Sequence, residues 1–298
     1  MKALHDLAAP AKLNLFLHIV GKRADGYHLL QSLFVLIDWA DTLHLERRTD
    51  GRVTRHDAGT DLALPADDLC VRAARLLQQE TGCTLGVDIH LDKRLPAGAG
   101  MGGGSSDAAT TLLGLNRLWN LRLSREQLMS LGLRLGADVP FFIGGGPATV
   151  EGIGEVLHPI PLPDQRFAVL KGPAGLATKE IFSSDLLASS NSSAIVVGFP
   201  ASARNIENLV NGFGRNDLQP AAEAIGSEVR NGLNLLSTTF GNARMTGSGA
   251  AVFSVLDEAG GDGKDDQSLA TLLQDLPAGW TGRICHSLPR HPLADWVS

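Results

Sequence analysis

The stretch that most constrains this chain is LPAGAGMGGGSSDAAT, residues 95–110, which holds five glycines and two serines. Glycine loses more freedom on folding than any other residue, so this cluster requires unusual dihedral angles or close backbone approach to another group. We interpret it as a turn with exposed amides that runs into a helix beginning at Ser105 or Ser106. Such a turn is an anion site, because N–H groups converge and the helix dipole adds roughly half a positive charge. A linker or simple tight turn is the alternative.

Two common nucleotide-binding patterns fit this stretch poorly. Gly98, Gly100 and Gly103 satisfy GxGxxG, the dinucleotide fingerprint of nicotinamide-dependent oxidoreductases. That fold needs a second strand ending in an acidic residue about twenty positions on, whereas the sequence here predicts a second helix. The phosphate loop of the other large nucleotide-binding class also fails, because no lysine followed by serine or threonine closes the glycines. Phosphate binding by main-chain amides remains the interpretation.

Composition narrows the class of protein. The chain has 298 residues, more than the roughly 100 to 200 of a usual single domain, so we expect two domains. A net charge of -6 argues against a protein that coats nucleic acid. The N-terminus lacks the apolar core of a signal peptide, and no run reaches the roughly 18 apolar residues of a membrane span. We therefore expect no membrane partner. The three cysteines are odd in number and share no metal-ligand spacing, which favours reduced thiols in a cytoplasmic protein.

The first half of the chain predicts strands followed by helices. Stretches rich in Val, Ile, Leu and Phe predict strands at residues 13–20, 29–37, 42–46 and 85–91. A helix over residues 67–82 opens on Asp67 or Asp68 and closes at Gly82. After the glycines, one helix extends to Trp119, and a second has a Ser124–Gln127 capping box and ends at Gly136.

The second half alternates between strands and helices after a proline-rich linker at residues 158–165. The predicted order is a strand at 167–172, a helix at 176–186, a polar patch at 189–193, a strand at 194–198, a helix at 220–240, a strand at 250–256 and a polar loop at 256–267. The fold class is therefore α+β. We expect two domains, residues 1–160 and 161–298.

Three separated motifs resemble those of the GHMP kinase superfamily: APAKLNLFL at residues 9–17, the glycine-rich stretch, and RMTGSGAAVFSV at 244–255. The resemblance implies a fold in which an N-terminal mixed sheet with helices and a C-terminal α/β sandwich enclose an active-site cleft. It also implies ATP as co-substrate, Mg²⁺, and direct in-line phosphoryl transfer to a hydroxyl of a small molecule.

Further stretches resemble one branch of that superfamily, whose members phosphorylate the 2-hydroxyl of a cytidylyl sugar alcohol in the non-mevalonate isoprenoid route. They are RADGYHLLQSLFVLID at residues 23–38, LGADVPFFI at 135–143 and NDLQP at 216–220. The motifs cover roughly a third of the chain. Residues 183–203 and the last forty match no motif. A homoserine or sugar kinase of the superfamily is the nearest alternative activity.

The resemblance assigns the reaction centre to Asp138 as base and Lys12 as its partner, with Asn14 on the same strand face to position the acceptor. On residues alone, Asp138 is equally an Asx-turn aspartate and Lys12 a solvent-facing strand-end lysine. Their coexistence argues against a non-catalytic nucleotide-binding protein. The resemblance assigns the ATP phosphates to Pro96, Ala97, Gly98, Ala99, Gly100, Met101, Gly102, Gly103, Gly104, Ser105 and Ser106.

The substrate site is predicted from three places. Tyr27 and His28 would bind the cytosine, since an aromatic ring can stack on a base and its neighbour can contact polar edges; a turn aromatic that covers core is the alternative for Tyr27. The resemblance adds Thr178 and Phe182, although Thr178 is equally a helix cap. The second glycine turn offers Gly247, Ser248 and Gly249. No carboxylate in the sequence stands out as a Mg²⁺ ligand, and we expect a monomer or homodimer.

Overall fold

The structure, a computed structural model, describes residues 1–59, 64–187, 214–256, 262–276 and 278–298. Within these ranges the strands form a mixed sheet against which the helices pack, so the predicted α+β fold class is confirmed. The predicted polar patch at 189–193 and strand at 194–198 lie outside the described residues.

The first half is organised around a long antiparallel hairpin of β1 (Ala3–Lys22) and β2 (His28–Arg48). The strands predicted at 29–37 and 42–46 are a single strand, so the predicted interruption was wrong. Asp41 lies in the middle of β2 and is fully buried. Its carboxylate accepts hydrogen bonds from Lys93 Nζ and from the backbone amides of Arg94 and Leu95, which satisfies the buried charge.

β2 is the central strand of this half. It pairs antiparallel with β4 (Gly86–Asp92) and β5 (Ala148–Glu151), and β5 pairs with β6 (Val156–Pro159). An edge strand, β3 (Val53–Ala58), runs parallel to β4. No pattern in the sequence predicts β3, because its residues VTRHDA are mostly polar and lie at the sheet edge.

Helices cover one side of this sheet: α1 (Leu69–Thr81), α2 (Gly103–Leu118), α3 (Arg125–Leu133) and α4 (Val139–Gly144). The predicted caps of α1 are confirmed, since the Asp68 side chain accepts from Val71 N and Gly82 ends the helix with a φ of 65°. The predicted capping box of Ser124 and Gln127 is also confirmed, although α3 ends three residues before Gly136.

The helix after the glycines begins earlier than predicted. α2 starts at Gly103, not at Ser105 or Ser106, because Gly102 adopts a left-handed conformation (φ 71°) and turns the chain directly into the helix. Ser105 and Ser106 are therefore within the first turn. The backbone N–H of Ser105 belongs to the set that has no partner inside the helix, whereas the backbone N–H of Ser106 donates to Gly102 O at 2.9 Å.

The second half contributes β7 (Arg166–Lys171), β8 (Arg244–Met245), β9 (Val252–Leu256) and β10 (Thr281–Leu288). Its helices are α5 (Thr178–Phe182), α6 (Gln219–Ile225), α7 (Ser227–Phe240) and α8 (Asp262–Gln274). The strands follow the order β2–β10–β7–β9–β8, and β10 reaches β2 through Ser287 and Leu288.

Two predictions in this half were wrong, one of a single helix and one of a loop. The helix expected over residues 220–240 is two helices, because Gly226 between them is extended (φ −118°, ψ 108°). The polar loop expected at 256–267 gives way to α8 from residue 262. Leu269 and Leu272 of α8 are buried in the core, so tertiary packing stabilises a helix whose first turns are polar.

Three buried apolar clusters support the fold. One lies between the first-half sheet and α1 and α2, one beneath the β1–β2 hairpin, and one between the second-half strands and α7 and α8. Leu293 and Val297, near the C-terminus, belong to the first cluster. The domain boundary near residue 160 stays a prediction. In the described ranges, no helix has the length and apolar character that crossing a bilayer requires.

Candidate active site

A cleft of about 1330 Å³ brings both glycine motifs together with residues from both halves of the chain. Of the predicted site residues, Ser106 and Gly249 do not line it. Those that do are Lys12, Asn14, Tyr27, His28, Pro96, Ala97, Gly98, Ala99, Gly100, Met101, Gly102, Gly103, Gly104, Ser105, Asp138, Thr178, Phe182, Gly247 and Ser248.

The dihedral angles of the glycine loop, residues 96–104, explain its composition. Gly98, Gly100 and Gly102 have φ values of 59°, 72° and 71°, which residues with side chains rarely adopt. A Cβ on Gly100 would lie 2.5 Å from Thr246 O, and one on Gly102 would lie 2.9 Å from the Phe142 ring. The loop therefore needs glycine for left-handed turns and for close contact with protein atoms.

The two glycine motifs are joined directly by backbone hydrogen bonds. Ala250 N donates to Gly98 O, and Ala251 N donates to Ala99 O, each at 3.0 Å. The second motif thus holds the glycine loop in place through its main chain. Ser106 lies behind the loop, where it is fully buried and its hydroxyl donates to Pro10 O at 2.7 Å, so that hydroxyl does not face the cleft.

Lys12 is a buried lysine on β1, with only 3% of its surface exposed. Its ammonium lies 3.6 Å from Asp138 Oδ2, donates to Asn14 Oδ1 at 2.5 Å, and lies 4.4 Å from the centre of the Phe34 ring. Burial lowers the pKa of Lys12, and the charge of Asp138 offsets part of that shift. The side chain is therefore not the solvent-facing lysine that the residues alone allowed.

Asp138 occupies the N-cap position of α4, yet its side chain makes no capping hydrogen bond. Pro140, in the first turn of α4, has no backbone N–H to donate. The carboxylate is 31% exposed and lines the cleft beside Lys12. A carboxylate that is ion-paired yet open to the cleft can accept a proton from a bound hydroxyl.

Asn14 connects this pair to the rest of the site. Its Nδ2 donates to Ser32 Oγ at 2.9 Å, and its backbone N donates to Thr246 Oγ1 at 2.8 Å. Because Oδ1 accepts from Lys12, the amide orientation is fixed on both sides. Sequence reasoning did not identify Ser32 or Thr246, which are buried and come from distant parts of the chain.

Part of the cleft lining is aromatic. Tyr27 is 60% exposed, so it does not cover core. The rings of His28 and Phe182 stack with their centres 5.5 Å apart and their planes 29° apart. Burial, with a smaller contribution from Lys22, lowers the pKa of His28, so its ring favours the neutral form. A flat, uncharged ring surface of this kind suits a nucleobase.

The second glycine turn contacts α5. Thr178 Oγ1 and Ser248 Oγ share a hydrogen bond of 2.8 Å, while Ala177 occupies the helix N-cap, so Thr178 is not the cap. Gly249 faces the Met245 side chain, and a Cβ there would lie 2.8 Å from the Met245 sulfur. The turn therefore presents Gly247 and Ser248 to the cleft.

A buried charge cluster that the sequence did not single out supports the glycine loop. Lys93 Nζ bridges Asp41 Oδ2 and Asp107 Oδ2, the second at 2.9 Å. Although burial opposes its charge, Asp107 and Asp41 raise the pKa of Lys93 above its usual value, and burial raises the pKa of Asp107. The sequence signal available for this cluster was the position of Lys93 shortly before the glycines and of Asp107 in the first turns of α2.

Comparisons with known proteins show the family to which this chain belongs. The family described as GHMP kinases N terminal domain matches residues 68–146. Proteins named 4-diphosphocytidyl-2-C-methyl-D-erythritol kinase are similar over the full chain: that of Methylibium petroleiphilum is 56% identical over 100% of this chain and 99% of its own, and that of Delftia acidovorans is 53% identical over 100% and 98%.

Solved structures agree. A crystal structure titled 4-(cytidine 5'-diphospho)-2C-methyl-D-erythritol kinase superposes with a TM-score of 0.78 at 30% identity, covering 95% of this chain and 98% of that one. A homoserine kinase from Cytophaga hutchinsonii has a TM-score of 0.73 at 16% identity, covering 98% and 96%, which shows the shared fold alone. The chain therefore belongs to the 4-diphosphocytidyl-2-C-methyl-D-erythritol kinase family of the GHMP kinases, and it is a kinase that uses ATP as co-substrate.

Proposed function

We propose that this chain transfers the γ-phosphoryl group of ATP to the 2-hydroxyl of 4-diphosphocytidyl-2-C-methyl-D-erythritol, a step of the non-mevalonate isoprenoid route. The observation that carries the proposal is the Lys12–Asp138 ion pair at 3.6 Å, which shares one cleft with the glycine loop and with the aromatic rings. The names of the full-length relatives support the choice of acceptor.

In this proposal Asp138 takes the proton of the acceptor hydroxyl as the hydroxyl oxygen attacks the γ-phosphorus. Lys12 stabilises the negative charge of the carboxylate and, held by Asn14, points toward the attacking oxygen. The transfer is direct and in line. Within the described residues, His28 is the only histidine or cysteine that lines the cleft, and it lies with the aromatic rings, not beside Asp138.

The glycine loop would hold the ATP phosphates. Residues 103–105 form the first turn of α2, where backbone N–H groups without helical partners point toward the cleft and the helix dipole favours negative charge. Ser105 lines the cleft and can add its hydroxyl as a hydrogen-bond donor. Ser106 supports the loop and does not reach the phosphates, because its hydroxyl donates to Pro10 O and its backbone N–H donates to Gly102 O.

Mg²⁺ fits the donor chemistry of this site. Kinase sites bind Mg²⁺ mainly through substrate phosphates and water, with one or two protein oxygens. The Ser105 hydroxyl, in the first turn of α2 and on the lining of the cleft, is a protein oxygen that would hold the ion beside the phosphates. When bound, Mg²⁺ would neutralise negative charge on the ATP phosphates.

Cytosine would bind at the aromatic part of the cleft. Tyr27 and Phe182 offer ring faces, and neutral His28 offers a ring nitrogen to the polar edge of the base. Thr178 and Ser248, which share a hydrogen bond and line the same cleft, would contact the sugar alcohol. Gly247 adds a backbone group there, whereas Gly249 does not reach the cleft. The cytoplasmic location, the absence of nucleic-acid partners and the monomer or homodimer stay predictions.

The experiment that tests the proposal is a substrate panel. ADP release is measured with Mg²⁺–ATP alone and after addition of the cytidylyl alcohol, homoserine, mevalonate or galactose. We expect release only with the cytidylyl alcohol. Phosphorylation of homoserine or a sugar in its place would establish the alternative superfamily activity and overturn the proposed acceptor.

A further inference from the structure

Two lysines flank the stacked rings of His28 and Phe182. Lys22 lies directly opposite His28 in the β1–β2 register, and its charge acts on the imidazole, contributing to the lowered pKa of His28. Lys179 precedes Phe182 by three positions on α5, so the two side chains leave the same face of that helix. Both lysines are exposed and line the cleft.

These two cations have no carboxylate partner among the described residues, unlike the other charged groups on the substrate side. Lys12 pairs with Asp138, and Asp25 pairs with Arg23 at 2.7 Å. The lining on the substrate side is therefore left with two positive charges, in a chain whose net charge is -6.

We propose that Lys22 and Lys179 bind the diphosphate bridge of the cytidylyl substrate. This inference rests on the proposed function and identifies residues that bind a part of the substrate. In that molecule the diphosphate separates the base from the sugar alcohol, and each of its two esterified phosphates carries one negative charge. Two lysines beside the base-binding rings match both the position and the charge of the bridge.

Lysine suits a diphosphate that must be held while the sugar alcohol reaches Asp138. Its ammonium is a compact charge on a flexible side chain, unlike the planar, bidentate guanidinium of arginine, so it can contact a phosphate in more than one geometry. Both side chains are solvent-exposed, so each contributes a modest share of affinity. We expect roughly a fivefold effect for each lysine, and the effect falls as salt is added.

The test compares CDP with cytidine in direct binding by calorimetry, using Lys22→Gln, Lys179→Gln and the double variant. In the double variant we expect the Kd for CDP to rise about twentyfold, whereas the Kd for cytidine stays within about twofold of wild type. Lys22→Arg with Lys179→Arg retains both charges and should bind CDP nearly as wild type does. Lys264→Gln, an exposed lysine of α8 outside this cleft, is the matched control.

Steady-state kinetics separates this inference from its rivals. The double variant should show a raised KM for the cytidylyl alcohol, a KM for ATP within about twofold of wild type, and a kcat little changed. A raised KM for ATP with CDP binding intact would assign the lysines to the nucleotide triphosphate and overturn the proposal. CDP binding equal to wild type in the double variant would also overturn it. Absence of turnover with the cytidylyl alcohol in wild type would instead contradict the proposed function.

Discussion

Lys12 and Asp138 come from elements more than 120 residues apart, yet the ammonium of one lies 3.6 Å from the carboxylate of the other. The lysine belongs to β1, and its own backbone N–H donates to Met101 O in the glycine loop. The aspartate is the N-cap of α4, which packs against α2, the helix that follows the glycine loop. The same contacts that bring the pair together therefore place it beside the proposed phosphate site.

Lys12 should determine the alkaline limb of the pH profile. Burial lowers its pKa, so the charged form is lost as pH rises at a lower pH than for a free lysine, whose pKa is about 10.4. We expect kcat/KM to fall on that side with a midpoint below this value. In Lys12→Arg the guanidinium stays charged, so the residual activity should lose the alkaline limb. An unchanged limb in Lys12→Arg would show that another group titrates there.

The glycine loop should not tolerate a side chain at Gly102. In Gly102→Ala the new Cβ would lie 2.9 Å from the Phe142 ring and 3.2 Å from Lys12 Cγ, in a backbone with a φ of 71°. We expect a loss of about 2–4 kcal/mol in the free energy of unfolding, and at least tenfold in kcat/KM for ATP. Urea denaturation and ADP release measure these losses.

Gly82→Ala is the matched control for this variant. Its φ is 65°, but no atom lies within 4 Å of the added Cβ, so only the backbone strain of about 1–2 kcal/mol is expected. Equal stability losses in the two variants, with ATP kinetics unaffected, would show that the contacts of Gly102 with Phe142 and Lys12 are unimportant.

Tyr27→Ala should weaken substrate binding with little effect on chemistry. The ring is exposed at the mouth of the cleft, and base–aromatic stacking contributes about 1–3 kcal/mol. We expect the KM for the cytidylyl alcohol to rise about tenfold or more, with kcat within about threefold of wild type. Tyr27→Phe retains the ring face and should behave as wild type. A KM that rises as far in Tyr27→Phe as in the alanine variant would assign the role to the hydroxyl.

His291 should make stability fall in mild acid. Burial lowers its pKa to about 4, from the ordinary value of about 6.5, and its Nδ1 accepts from Leu293 N. Because the unfolded chain binds the proton first, stability that is present above pH 6.5 is lost as pH falls towards 4, by up to about 3 kcal/mol.

Urea denaturation between pH 7.5 and pH 4 tests this prediction. His291→Asn keeps an acceptor for Leu293 N but does not titrate, so its stability should depend less on pH over this range. His5→Asn, at an exposed position, serves as the control. Parallel pH curves for His291→Asn and wild type would contradict a proton-linked role for the buried imidazole.

The sequence predicted features that depend on local chemistry. Helix caps such as Asp68 and the Ser124 box follow from short-range hydrogen bonding, and their positions were correct. The family resemblance placed Lys12 and the glycine-rich stretch in one site, since on the residues alone Lys12 could equally face solvent. The resemblance, more than periodicity, predicted that the three motifs belong to one site.

What the sequence could not predict depends on tertiary contacts. β2 continues through Asp41 because Lys93 and two backbone amides, fifty residues away, satisfy that carboxylate. Ser106 faces Pro10 O and not the cleft, which only the packing of α2 against β1 determines. α8 forms where the composition predicted a loop, since Leu269 and Leu272 have a core to enter.

The most direct test of the central claim is a single-turnover measurement with Asp138→Asn. Enzyme in excess over radiolabelled ATP is mixed with saturating cytidylyl alcohol and quenched on the millisecond scale, with Asp164→Asn, on an exposed loop, as the control. Because Asp138 is proposed to act on the transferring proton, we predict that the phosphoryl-transfer rate falls by about 10²–10⁴ while ATP still binds with a Kd near that of wild type. A transfer rate equal to wild type, with the variant's defect confined to substrate affinity, would contradict the account.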